Sequence, residues 1–150
     1  MNILLKNVSK FYSLTDYHHN TIYHLSISNP RILNKLIENA NKEDLDIVND
    51  KNKTILSLLI DKSLKENDKY DRIINKIIQK VNLKLPKRNP SLCYACKKNK
   101  LWIIKKLIKQ DKSIINIVDK SLLNSLNIAL YNNNPKIAKY LLEKGIDVDY

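Results

Sequence analysis

Cys93-Tyr94-Ala95-Cys96 holds the chain's only two cysteines, at the spacing that zinc knuckles and dithiol redox sites use. A structural zinc needs four ligands, and there is no second cysteine pair and no histidine pair at ligand spacing. Dithiol redox chemistry needs the thiols at a helix N-terminus in a βαβ setting, which the flanking pattern does not provide. Both residues therefore read as small core side chains. His18, His19 and His24 with Asp16 form a second ligand-like cluster, but a further ligand in an organised geometry is missing. Asp61, Glu66, Asp68 and Asp71 gather carboxylates without a paired nucleophile and base, so they read as a solvated charged run in a loop. Lys97, Lys98, Lys100, Lys105, Lys106, Lys109 and Lys112 surround Leu101-Trp102-Ile103-Ile104 and Leu107-Ile108. Taken alone, that segment is a basic amphipathic helix for a membrane surface or nucleic acid. The expectation is a non-enzyme with no cofactor and no metal.

Composition narrows the field further. One Gly in 150 residues excludes phosphate loops, dinucleotide fingerprints and most tight-turned β-architectures. Lys+Arg number 27 against 15 Asp+Glu, a formal net charge of +12, and Arg31, Arg72 and Arg88 are the only arginines. Asn and Ile each occur about twenty times. Lys, Asn and Ile rise together where coding sequence is AT-rich, so part of the charge is compositional. Ile3-Leu4-Leu5 is followed at once by Lys6 and Asn7, which is no secretory signal, and no apolar run reaches the ~18 residues of a membrane span. With two cysteines and no signal, the expectation is a soluble, intracellular, cytoplasmic protein without a membrane partner.

These residues are positioned by repeated elements. Leu126, Ala129 and Leu130, then Ile137, Ala138, Leu141 and Leu142, form a compound apolar pattern. Shifted back by 34 residues it falls on Leu92, Ala95, Cys96, Ile103, Ile104, Leu107 and Ile108, all apolar. It continues upstream, with a slip in the gap, as Leu56, Leu59, Ile60, Ile73, Ile74, Ile77 and Ile78, and as Tyr23, Ser26, Ile27, Ile32, Leu33, Leu36 and Ile37. Spacings of three and four put each half on one helix face, so each unit is a helix, a turn and a second helix. Asn29-Pro30 and Asn134-Pro135 supply a cap and a first-turn proline to second helices, and Asn89-Pro90 does the same ahead of a first helix. Gly145 closes the last helix in a left-handed conformation. Leu45 to Asp50 and Ile115 to Asp119 read as extended connections. Such units bury their apolar faces only against neighbours, as in a solenoid.

The units resemble the ankyrin repeat. Asn124-Ser125-Leu126-Asn127-Ile128-Ala129 stands where that family has T-P-L-H-x-A, and Leu141-Leu142-Glu143-Lys144-Gly145-Ile146-Asp147-Val148-Asp149 follows its L-L-x-x-G-A-D-V-N. Thr21-Ile22-Tyr23-His24 and Thr54-Ile55-Leu56-Ser57 are similar starts, 33 residues apart. Asn99 and Asn133 replace the family's inter-helix glycines, His24 keeps its structural histidine, Cys93 occupies the same slot, and Leu85-Pro86-Lys87-Arg88 replaces D-x-x-G in the third unit. Short ankyrin proteins of large DNA viruses with AT-rich genomes share the Lys/Asn/Ile bias.

The resemblance implies an all-α, ankyrin-type solenoid of stacked helix-turn-helix repeats with β-hairpin-like connections. Its expected divisions are an N-terminal capping helix at 1–15 and four repeats at about 16–48, 49–84, 85–118 and 119–150. Tyr150 falls at a repeat boundary with no polar cap after it. The resemblance further implies a binding module whose partner lies along the hairpin tips and first helices. The residues carried over are Tyr17, His18, Lys51, Lys53, Lys62, Lys87, Lys97, Lys98, Lys120, Leu123, Tyr131 and Asn132. Seven of these are Lys, against Asp50 and Asp61 on the same surface, which suits an acidic protein segment. Tyr17, Leu123 and Tyr131 are the expected anchors, and Trp102 is an exposed aromatic off the core pairs. The competing readings are nonspecific nucleic-acid binding through Lys, which the scarcity of Arg and of interleaved aromatics weakens, and a scaffold fragment of a larger assembly.

Overall fold

The computed structural model describes residues 14–64 and 68–149. The expected capping helix at 1–15 lies almost entirely outside them.

Among the described residues the chain is a succession of helix pairs. The first pair is α1 (Ile22–Leu25), continued by a 3-10 turn at Ser26–Ser28, and α2 (Pro30–Glu38). A short helix α3 (Lys42–Leu45) leads to α4 (Ile55–Lys62) and α5 (Asp71–Ile78). Then come α6 (Ser91–Lys97) with α7 (Leu101–Gln110), a 3-10 turn at Lys112–Ile114, and α8 (Ser125–Tyr131) with α9 (Pro135–Glu143). The first helices α1, α4, α6 and α8 stack in one layer, and α2, α5 and α7 stack in a second. The described residues contain no sheet, and their β pairing is confined to isolated bridges, Thr15 with Thr21 and Val118 with Asn124.

The core runs between the two layers along the apolar template. Leu56, Leu59, Ile60, Ile73, Ile74, Ile77 and Ile78 are buried, as are Leu92, Ala95, Cys96, Ile103, Ile104, Leu107 and Ile108. The template is open at both ends of the stack: Ile32 in the first pair is 50% exposed, and in the last pair Leu130 is 62% and Leu142 50% exposed. Leu130 and Leu142 have no following pair among the described residues. Their counterparts Cys96 and Ile108 are covered by the pair that follows them. Leu45, expected in an extended connection, lies in α3 and is fully buried.

Helix ends follow local chemistry. Asn29 and Asn134 each accept a hydrogen bond from the backbone N–H three residues on, Ile32 and Ile137, with proline opening the helix. Asn89 does not cap α6, whose N-cap is Pro90; its carboxamide oxygen accepts from Lys97 Nζ instead. Gly145 has φ +82°, its N–H bonds to Leu142 O, and Ile146 N–H reaches Leu141 O, a complete Schellman ending. Asn99 (φ 55°) and Asn133 (φ 49°) anchor the same pair of bonds: their N–H groups reach Cys96 O and Leu130 O, and those of Lys100 and Asn134 reach Ala95 O and Ala129 O. Asparagine thus supports the left-handed turns that glycine normally makes.

Two helices end on lysines from the next unit. Lys80 Nζ donates to the carbonyls of Ile37, Glu38 and Ala40 at 2.8, 3.2 and 3.1 Å, capping α2. Lys100 Nζ donates to Ser63 O at the end of α4. Part of the Lys excess is therefore structural.

Candidate functional site

The tips are built by one device used three times. Asp16, Asn49 and Asp119 each open a turn whose fourth residue, His19, Asn52 or Leu122, has φ between 54° and 58°. Each opening residue donates its N–H to the carbonyl four residues on and accepts the N–H three residues on, at 2.8–3.0 Å. Its side-chain oxygen accepts the N–H groups two and four residues on. This Asx-bounded turn with a left-handed fourth position explains the family's D-x-x-G. The segment 80–90 lacks it, folding through a cis Leu85–Pro86 peptide instead.

His24 ties two units together. Its Nδ1 accepts the Thr21 N–H at 3.1 Å, which leaves Nε2–H to donate to Lys53 O at 3.0 Å. Burial holds its pKa below the ordinary imidazole value, against the Lys53 hydrogen bond and the charge of Asp16. Cys93 occupies the equivalent slot, and its Sγ points to the carbonyls of Ile117 and Leu123 at 3.5 and 3.9 Å. Both cysteines are free and buried, and burial pushes their thiols up to about 11 for Cys93 and about 12 for Cys96. Such thiols carry little thiolate near neutral pH, so neither is activated as a nucleophile.

Of the carboxylates expected as a solvated loop run, Glu66 lies outside the described residues, and Asp61, Asp68 and Asp71 are engaged structurally, with Asp61 and Asp71 on helices. Asp61 takes an ion pair from Lys53, a hydrogen bond from the Tyr94 hydroxyl at 2.6 Å and a second ion pair from Lys98 at 3.3 Å. Burial alone would raise its pKa, but hydrogen bonds from Lys53 and Tyr94 outweigh burial and hold the carboxyl below the usual range. Asp119 is buried and pairs with Lys97 at 2.6 Å; there too the hydrogen bonds overcome desolvation and lower the pKa. Asp68 accepts from Ser63 Oγ and the N–H groups of Leu64 and Tyr70, and Asp71 pairs with Lys106 at 3.3 Å. No group of three or more His, Cys, Asp or Glu among the described residues is arranged to hold a metal.

A sequence model of ankyrin repeats, in three copies, matches residues 48–150. The chain belongs to the ankyrin repeat family. Its structure is similar to the crystal structure of the ankyrin repeat domain of Bcl-3, described as a unique member of the IkappaB protein family. The TM-score is 0.67 at 19% identity, over 96% of this chain and 66% of that one, which is a likeness of fold. No curated protein matches the chain.

Ankyrin stacks are protein-binding modules, and the residues carried over from the family pattern fall into three groups. Tyr17 and Tyr131 are 85% and 83% exposed, and Lys51, Lys62, Lys87 and Lys120 are exposed with no ion-pair partner among the described residues. Lys53 and Lys98 share Asp61, and Lys97 pairs with Asp119, so two of their three charges are balanced inside the protein. His18 stacks against the Tyr17 ring at 3.9 Å and faces Asp50 at 3.5 Å, next to a His19–Asp50 contact. Leu123 is half-buried against the core, and the exposed leucine of that tip is Leu122. Asn132 is exposed but donates to Cys96 O at 3.2 Å. Trp102 is not the exposed aromatic expected: it is half-buried, packed against the core, with Lys106 Nζ 5.8 Å from its ring. Sequence reasoning missed Arg88, which reaches the tip surface from the irregular third unit. No helix among the described residues is long and apolar enough to cross a membrane.

Proposed function

We propose that this chain is a protein–protein adaptor whose tips and first helices hold an acidic segment of a partner. The observation that carries the reading is that two exposed tyrosines, Tyr17 in the first unit and Tyr131 in the last, flank units carrying four exposed lysines without ion-pair partners among the described residues, Lys51, Lys62, Lys87 and Lys120. Tyrosines supply the contact area that dominates binding energy, and uncompensated cations supply steering and register. The helix pairs serve as four repeats, at about 16–48, 49–84, 85–118 and 119–150, each contributing one tip or loop and one first helix to this surface. A protein of the cell interior fits the reduced cysteines, and the Lys/Asn/Ile bias fits a source with AT-rich coding sequence, as in large DNA viruses.

Capture from a nuclease-treated cell lysate tests this reading. The wild type should retain a protein that a Lys51→Glu/Lys120→Glu variant loses, with both proteins melting at the same temperature. If nuclease strips all captured material from the wild type, the surface holds nucleic acid and the adaptor reading fails. Charge reversal at Lys97 or Lys98 would be a poor test, because it breaks the Asp119 and Asp61 pairs.

A further inference from the structure

The line of tips is bonded at its two outer junctions and open at the middle one. Asp50 N–H bonds to His18 O at 3.0 Å, joining the second tip to the first. Lys120 N–H bonds to Arg88 O at 3.0 Å, joining the last tip to the third unit's loop. Among the described residues no backbone bond joins the tip at 49–53 to the loop at 80–90. At that junction lies a cleft of about 230 Å³, lined by Lys51, Lys53, Arg88, Lys97 and Lys120 with the carboxamides of Asn52 and Asn89. Every lining residue is a cation or a carboxamide.

Two of the five cations are neutralised from behind, Lys53 by Asp61 and Lys97 by Asp119. Lys51, Arg88 and Lys120 have no ion-pair partner among the described residues. The cleft therefore carries an excess of three positive charges. A single carboxylate leaves most of that charge unmatched. A phosphate monoester brings about −1.5 to −2 and three acceptor oxygens, enough for the Arg88 fork and the two ammonium groups. A nucleic-acid strand spreads single charges along an extended track and gains from aromatic stacking, whereas this cleft is a single concavity with no aromatic residue in its lining.

We propose that the cleft takes a phosphate monoester on a side chain of the partner's acidic segment. The proposal rests on the adaptor reading and makes binding conditional on phosphorylation of the partner. The cleft lies where the third unit departs from the repeat pattern: Leu85 stands where the other tips have their Asx residue, and Arg88 where they have the left-handed fourth residue.

The test is fluorescence anisotropy of the full chain at about 150 mM salt, with one short acidic peptide in three forms, carrying phosphoserine, serine or glutamate at its centre. The phosphopeptide should bind about tenfold or more tighter than either other form, and shift the backbone amide resonances of Lys51, Arg88 and Lys120. Arg88→Gln should abolish that preference, while Lys109→Gln, an exposed cation on α7, should keep it. Equal binding of the three peptides, with affinity still lost in Tyr131→Ala, would overturn the phosphate site and leave the adaptor surface standing. Failure of every form to bind, or displacement of the phosphopeptide by duplex DNA at equal phosphate concentration, would overturn the phosphate site as well. In the second case the nucleic-acid occupant replaces it. A preference that survives Arg88→Gln moves the phosphate elsewhere and overturns the assignment.

Discussion

Leu122 sits at φ 58° with its side chain 70% exposed, so it carries the cost of a left-handed backbone and recovers little by packing. Leu122→Gly should stabilise the protein by about 0.5–1 kcal/mol, the relieved strain less the entropy glycine loses on folding, read as a higher urea midpoint. Gly145→Ala should do the reverse: nothing lies within 4 Å of an added Cβ, so its cost is purely conformational, about 1 kcal/mol. His24 gives a pH signature. Its folded pKa is depressed below 6.5 by burial, so the unfolded chain binds the proton more readily. Its contribution is fully present above pH ~6.5 and is lost as pH falls through the folded value. Denaturation midpoints should therefore decline on acidification in that window, and His24→Gln should remove that part of the slope. The left-handed asparagines, Gly145, His24 and the core role of the cysteines were all legible in the sequence, because each follows from a local constraint on backbone or spacing. The state of a surface lysine was not. Whether Lys53 or Lys51 carries free charge depends on Asp61, eight residues from one and ten from the other, and on which side chain the helix face turns toward it.

Helix pairs stand or fall with the groups that finish their ends. Lys80 offers three charged hydrogen bonds to the last carbonyls of α2, a helix that does not end in the Gly145 manner. Lys80→Met keeps the aliphatic stem and deletes the ammonium; it should cost about 1–2 kcal/mol in urea unfolding, whereas Lys35→Met on the exposed face of α2 should cost almost nothing. An equal effect of the two would mean that the carbonyls of Ile37, Glu38 and Ala40 are satisfied by water. No sequence pattern marks Lys80 as a cap, since it lies about forty residues from the carbonyls it serves. The third connection was legible only as a departure: Leu85-Pro86-Lys87-Arg88 showed that the usual turn was missing, but not that its absence leaves an open basic cleft. Apolar spacing, in contrast, marked the core of the two inner pairs completely and overshot at Ile32, Leu130 and Leu142 in the outer pairs, because a helix face is buried only where a neighbouring pair covers it.

The described residues form a two-layer stack in which α1, α4, α6 and α8 and the tips present one side and the second helices the other. On that side the knot of Lys53, Asp61, Tyr94 and Lys98 fixes the second unit against the third, so the surface is pre-shaped rather than assembled on binding. Net charge overstates what a partner meets at the tips, because some lysines are consumed as caps and internal pairs and others, Lys35, Lys105, Lys109, Lys136 and Lys139 among them, are exposed on the second helices. The central claim is that a protein partner is gripped there, with Tyr131 as an anchor. The most direct measurement is the dissociation constant of the protein captured from nuclease-treated lysate, titrated against wild type, Tyr131→Ala and Lys109→Glu. The account predicts a loss of about thirtyfold for Tyr131→Ala, corresponding to ~2 kcal/mol, and an unchanged constant for Lys109→Glu. Equal binding by Tyr131→Ala and wild type would contradict it.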